Sequence, residues 1–170
     1  MERRSLEAIV RALDAAGVRY LIAGGLAVVA HGYVRLTADV DLVLDMDRAA
    51  LLRAIAALAG LGYRPRAPVE FVRFAEAADR AAWRDEKGMT VFSASSPQHP
   101  ATEIDLFLEP PFGFDAAYAR AARLEIAPGV AATFVSAADL IAMKRAAGRP
   151  QDLWDIEALE RLARSPEGRS

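Results

Sequence analysis

The chain is 170 residues long, 54% hydrophobic and 26% charged, with a net charge of −2 and no cysteine. That length suits one compact domain, and that composition excludes disulfide scaffolds, thiolate zinc sites and cysteine nucleophiles. A near-neutral charge supplies no overall field toward nucleic acid, and two histidines, His31 and His99, are too few for a histidine-rich metal site.

Ser5 is expected to cap a first helix whose Leu6, Ile9, Val10 and Leu13 share one face, with Gly17 just past its end. Residues 19–23 read as a short buried strand that breaks at Gly24 and Gly25, where a second helix runs to about His31. Residues 37–44 read as a strand in which Asp39 and Asp41 alternate with Val40, Leu42 and Leu44. Asp47 caps a long helix with a stripe of Leu51, Leu52, Ile55 and Leu58, ended by Gly60 and Gly62. Residues 64–68 form a loop, 69–74 fit either strand or helix, and 75–86 are helical. Strands at 89–94 and 103–108 make a hairpin. A helix at 115–123 precedes an extended segment, 124–135, that turns at Pro128 and Gly129. Ser136 caps a helix to Ala147, and a last helix runs from Asp152 to about Ala163. The irregular mixture points to an α+β domain, a mixed sheet flanked by helices, spanning residues 1–164 with a frayed tail at 165–170.

The longest apolar run, residues 20–30, is 11 residues long and contains the diglycine, too short to span a membrane. No apolar stretch follows the basic start, so the expected location is the cytoplasm.

Asp39 and Asp41 project from one face of their strand, roughly 6–7 Å apart. Carboxylates that close repel, and a hard divalent cation such as Mg²⁺ or Mn²⁺ relieves the repulsion. A solvated edge strand is the plainer reading of the same pattern. Asp105, set among Ile104, Leu106, Phe107 and Leu108, completes a three-carboxylate face if its strand lies beside the first. Glu103 takes that place only if the register slips by two. Gly24 and Gly25 let a backbone approach phosphate closely at a helix start, though any tight strand-to-helix turn uses glycine.

The stretch GGLAVVAHGYVRLTADVDL, residues 24–42, resembles the opening of the DNA polymerase β-like nucleotidyltransferases. It is most similar to the minimal AbiEii-type members known from abortive-infection and toxin–antitoxin systems. The resemblance runs from about residue 18 to 159 and includes DLIAMKRAAGRPQDLWD, residues 139–155. It implies transfer of a nucleoside monophosphate from an NTP, such as ATP, to an acceptor hydroxyl on a tRNA, a protein or a small molecule. It also implies two Mg²⁺ or Mn²⁺ ions on Asp39, Asp41 and Asp105, and an antitoxin protein as a possible partner. The wider superfamily has Gly-Ser at the turn. The Gly24-Gly25 found here leaves phosphate to backbone N–H groups.

Lys144 falls near the buried side of its helix and is one of only two lysines among 21 basic side chains. Its ammonium either reaches a phosphate or snorkels to solvent. Asp152 is a good helix-start residue that the resemblance makes a nucleotide-site candidate. Arg35 and Thr37 flank the acidic strand and either touch nucleotide or fix the loop. His31 reads as a packed residue closing its helix. Trp83 and Trp154 read as core, with Trp83 beside Arg80 and Arg84 as a possible acceptor flank. Arg64, Arg66, Arg73, Arg80 and Arg84 make a possible local basic patch for RNA. Residues 39–43 also fit the D-x-D-x-[TV] string of haloacid-dehalogenase-like phosphatases, but there the acids follow the apolar run, and here they precede it. A degenerate transferase domain serving as a binding module is the non-enzymatic alternative.

Overall fold

The computed structural model describes residues 2–164, so the tail expected at 165–170 lies outside the described residues. The elements in order are α1 (Arg3–Ala15), β1 (Tyr20–Ile22), α2 (Gly24–Ala30), β2 (Asp39–Leu44), α3 (Arg48–Gly60) and β3 (Arg64–Pro65). A 3₁₀ turn (Phe71–Ala75) and α4 (Ala77–Lys87) follow, then β4 (Val91–Ser95), β5 (Glu103–Phe107) and α5 (Phe114–Ala119). The chain closes with β6 (Ala122–Ala127), β7 (Val130–Phe134), α6 (Ala137–Ala147) and α7 (Pro150–Arg164). The fold is α+β, a single seven-stranded mixed sheet in the order β3-β4-β5-β2-β1-β7-β6.

Strand alternation sorts the sheet into two faces. Val40, Leu42 and Leu44 of β2, Ile104 and Leu106 of β5, and Phe92 and Ala94 of β4 point to one side and are fully buried. Phe92 stacks on Trp83 of α4 at 4.8 Å between centroids and meets Phe71 and Phe74 of the 3₁₀ turn. Each such large apolar side chain contributes about 1.5–3 kcal/mol on burial. The opposite face of the same strands carries Asp39, Asp41, Asp105 and Ser93. It borders a cleft that residues of α2 and α6 also line.

Several sequence expectations are corrected. Ser5 does not cap α1, which starts two residues earlier; it is buried in the first turn, with its hydroxyl 3.0 Å from His99 Nδ1. The loop expected at residue 64 contributes a two-residue edge strand, because Arg64 and Pro65 pair with Ser95 and Ala94. The helix at 115–123 is shorter, and Ala122 and Arg123 join β6 instead. Thr37 lies outside β2, which begins at Asp39. Asp152 does not start α7. Pro150, which lacks an N–H, opens the helix, and the Asp152 carboxylate reaches back to accept from Arg149 N at 3.1 Å. Trp154 is 65% exposed rather than core. Trp83 is core, but it packs on the face opposite the acids, so it flanks no acceptor there.

Candidate active site

The sheet register brings the acids together from distant stretches of sequence. β2 and β5 run parallel, with Asp41 opposite Asp105 and Asp39 opposite Glu103. Asp39, Asp41 and Asp105 all line one cleft of about 800 Å³, which also takes in Gly24 and Gly25. Burial pushes the Asp41 carboxyl up to about 6. The charges of Asp105 and Asp39 add to the rise, and Arg149 and Lys144 offset part of it. Asp39 is also raised, by burial and then by Asp105 and Glu103. Asp41 is therefore a half-buried carboxylate held against its own kind, with the cations of Arg149 and Lys144 nearby.

The diglycine is a close-approach element for both walls of the cleft. Gly24 has φ +61°, and a Cβ there would overlap the Asp41 carboxylate. A Cβ on Gly25 would come within 3.0 Å of Thr37 Oγ1 and 3.3 Å of Arg35 Cζ. The acid and the guanidinium thus lie on either side of one bare turn. Ala23 N donates to Asp41 O at 2.9 Å, which fixes the turn to β2.

A charged network forms the other end of the cleft. Lys144 Nζ donates to Asp155 Oδ2 at 2.6 Å and Asp152 Oδ1 at 3.1 Å, with all three side chains buried. Arg35 Nη1 meets the same Asp155 oxygen at 2.6 Å, and Arg149 Nε donates to Asp152 Oδ2 at 2.9 Å. Burial tends to raise Asp152, but the hydrogen bonds from Arg149 and Lys144 outweigh it and hold the carboxyl down at about 2. Three cations face two carboxylates, so the network carries surplus positive charge beside the diglycine. Lys144 is buried and paired, which excludes the snorkelling reading.

The sequence reading missed Arg149 and Asp155 as site residues. Asp152 and Asp155 are three apart, and so are Arg149 and Asp152, the spacing that puts side chains on one helix face. His31, by contrast, is structural: its Nε2 lies 2.8 Å from Val135 O. The five arginines of the possible basic patch are each engaged. Arg66 pairs with Glu103, Arg73 with Asp79, and Arg84 with Asp85 and Glu109, while Arg64 and Arg80 donate to backbone carbonyls.

Among the described residues, no three acidic or histidine side chains are gathered tightly enough to make a complete metal cluster by themselves. The donor chemistry nevertheless suits a hard divalent ion. Mg²⁺ is commonly held by one or two carboxylates with substrate phosphates and water filling the rest. Asp41, raised by burial and then by Asp105 and Asp39, is the kind of group such an ion relieves.

The fold has a counterpart among solved structures. The solution structure of the antibiotic-resistance factor ANT(2'')-Ia, described as showing substrate-regulated conformation dynamics, aligns with TM-score 0.58 and 24% identity, covering 95% of this chain and 81% of that one. The crystal structure of ANT(2'')-Ia in complex with adenylyl-2''-tobramycin aligns with TM-score 0.60 and 19% identity, covering 95% and 92%. At such identities the likeness is one of fold. No curated protein matches the chain. Residues 6–169 match the family described as nucleotidyl transferase AbiEii toxin, type IV TA system, and the chain belongs to that family.

Gly24→Ala tests the close approach directly. The variant is expected to lose nucleotide transfer because its methyl group displaces Asp41. Gly17→Ala is the control: it shares a positive φ of +62° but meets nothing within 4 Å. It should show only the backbone cost of roughly 1 kcal/mol, read as a small drop in Tm with transfer retained. Equal activities in the two variants would remove Gly24 from the site.

Proposed function

We propose that this chain transfers a nucleoside monophosphate from an NTP to an acceptor hydroxyl in a reaction that needs a divalent metal. The observation that carries the proposal is the Asp41–Asp105 register pair, set against the Gly24 backbone and facing a surplus of cationic charge across one cleft. Asp39, Asp41 and Asp105 would hold Mg²⁺ or Mn²⁺, which when bound neutralises triphosphate charge and acidifies the acceptor hydroxyl.

The chain's own residues perform the rest. Gly24 and Gly25 let the triphosphate approach the backbone, and Arg35, Lys144 and Arg149 attract it electrostatically. Thr37 and Asp152 line the same cleft, and Asp152 anchors Lys144 and Arg149. The acceptor oxygen attacks the α-phosphorus in line, its bond to phosphorus forms, and the bond to the β-phosphate bridging oxygen breaks to release pyrophosphate. Asp105, on the strand beside Asp41, takes the hydroxyl proton in this reading.

Position weighs against the phosphatase reading, since Asp39 is the first residue of β2 and not its end. The family description supports a toxin role opposed by an antitoxin, and in this proposal the reaction takes place in the cytoplasm, where NTP is available. No helix among the described residues is long and apolar enough to cross a membrane. The acceptor is a tRNA, a protein or a small molecule; adenylyl-tobramycin in ANT(2'')-Ia supplies a precedent for the last.

The test incubates the native protein and Mg²⁺ with each α-labelled NTP and separate fractions of cell RNA, cell protein and tobramycin. Label is expected in one fraction and only with metal present. Absence of label from every fraction with all four NTPs overturns the proposal and favours the binding-module alternative.

A further inference from the structure

We infer that Ser93 is a positioning residue for Asp105, fixing the carboxylate through a hydrogen bond across β4 and β5; this rests on the function proposed above. The two residues are register partners, and the Ser93 hydroxyl donates to Asp105 Oδ1 at 2.5 Å. On its other side β5 pairs with β2, where Asp41 stands opposite the same Asp105. Asp105 therefore sits between a neutral donor and a like charge.

That placement has a mechanical consequence. The terminal torsion of aspartate is broad and two-fold, so backbone geometry alone does not hold the carboxylate plane. Repulsion from Asp41 turns it away from β2. A hydroxyl bound to a carboxylate is a strong, short, charge-assisted bond, and here it defines where Oδ1 rests. Among the described residues no side chain donates to Oδ2, which leaves that oxygen free for the reaction.

The support behind Ser93 is itself fixed. Its carbonyl accepts from Arg66 N at 3.0 Å, and the Arg66 guanidinium grips Glu103, the neighbour of Asp105 on the same face. Glu103 is thereby kept on Arg66 and does not compete for the Ser93 hydroxyl. Edge strand β3 and its neighbour β4 thus serve the site, although neither contributes an acid to it.

Groups that orient a ligand or reacting carboxylate from behind are commonly worth 10–100-fold in activity or metal affinity. Ser93→Ala is expected to lower kcat about tenfold or more, with the KM for NTP within about twofold, because the cationic end of the cleft is untouched. The affinity of the nucleotide-free protein for Mn²⁺, read by electron paramagnetic resonance, should fall several-fold in parallel. Ser93→Thr keeps the hydroxyl, suits a strand, and should restore most of both losses. Equal damage from Ala and Thr, or native kcat and Mn²⁺ affinity in Ser93→Ala, overturns the assignment. Asp41→Asn separates the two claims: if it is inactive while Ser93→Ala is native-like, only the Ser93 assignment falls. If Asp41→Asn is as active as the native protein, the proposed function falls.

Discussion

Asp41→Asn is expected to lower kcat for nucleotide transfer by about 10³-fold or more, equivalent to ~4 kcal/mol of transition-state stabilisation. The substitution keeps the shape that packs against Gly24 and removes only the charge. Its effect on stability should have the opposite sign. Burial and the charges of Asp105 and Asp39 raise the Asp41 carboxyl to about 6, above its ordinary 3.8. A carboxyl raised in this way costs the metal-free fold stability above pH 6, and the cost fades as pH falls from 6 toward 3.8. Asp41→Asn, measured without metal, should therefore melt above the native protein at pH 7.5, with the gap closing by about pH 4. A variant that loses both activity and stability would show that Asp41 is structural, held by a partner that the repulsion argument omits.

Lys144→Met is expected to produce the largest loss of stability among single changes at the site. Lys144 Nζ bridges Asp152 and Asp155, whose side chains are 1% and 0% exposed. Among the described residues, Asp155 Oδ1 has no hydrogen-bond partner even with the lysine present. Removing the ammonium takes the buried counter-ion from two interior carboxylates and leaves them to Arg35 and Arg149, and breaking a buried pair costs about 3–5 kcal/mol. For a domain of this size that corresponds to a fall in Tm of roughly 10 °C. Arg149→Met should cost far less, because Arg149 is 70% exposed and its ion pair is screened. Lys144→Arg is not a conservative exchange, since a planar fork cannot occupy the point between two carboxylates that a compact ammonium fills. Thermal unfolding of the three variants checks the ranking, and a Lys144→Met protein as stable as Arg149→Met would contradict it.

The acidic strand was legible because polar residues alternating in an apolar strand have few explanations, and Asp105 repeats that pattern in a second strand. The pairing of these strands was not legible. A parallel neighbour comes from a crossover of some sixty residues, and no local signal reports its register. Lys144 stood out by its rarity in an arginine-rich chain, but its partners did not. Asp155 reads as one more acid on a charged helix until α6 and α7 pack together. Ser93 gives no signal at all, since the seven-residue connection at 96–102 leaves the β4–β5 register open. Ser5 misled for a physical reason: it carries the usual cap chemistry, but its hydroxyl binds His99 from inside the first turn. Trp154 misled through composition, because large aromatics are usually buried, and here the two inward positions of that turn go to Asp152 and Asp155. The arginine patch dissolved because neighbouring acids and carbonyls, dispersed in sequence, neutralise it in space.

The proposed chemistry turns on attack at the α-phosphorus, rather than the γ-phosphorus, in this cleft. Parallel reactions of the native protein with α-labelled and γ-labelled NTP measure that directly. The expected result is that α-label enters the acceptor while γ-label leaves as pyrophosphate, both dependent on Asp41. γ-Label in the acceptor or in inorganic phosphate, with no α-label transferred, would contradict it.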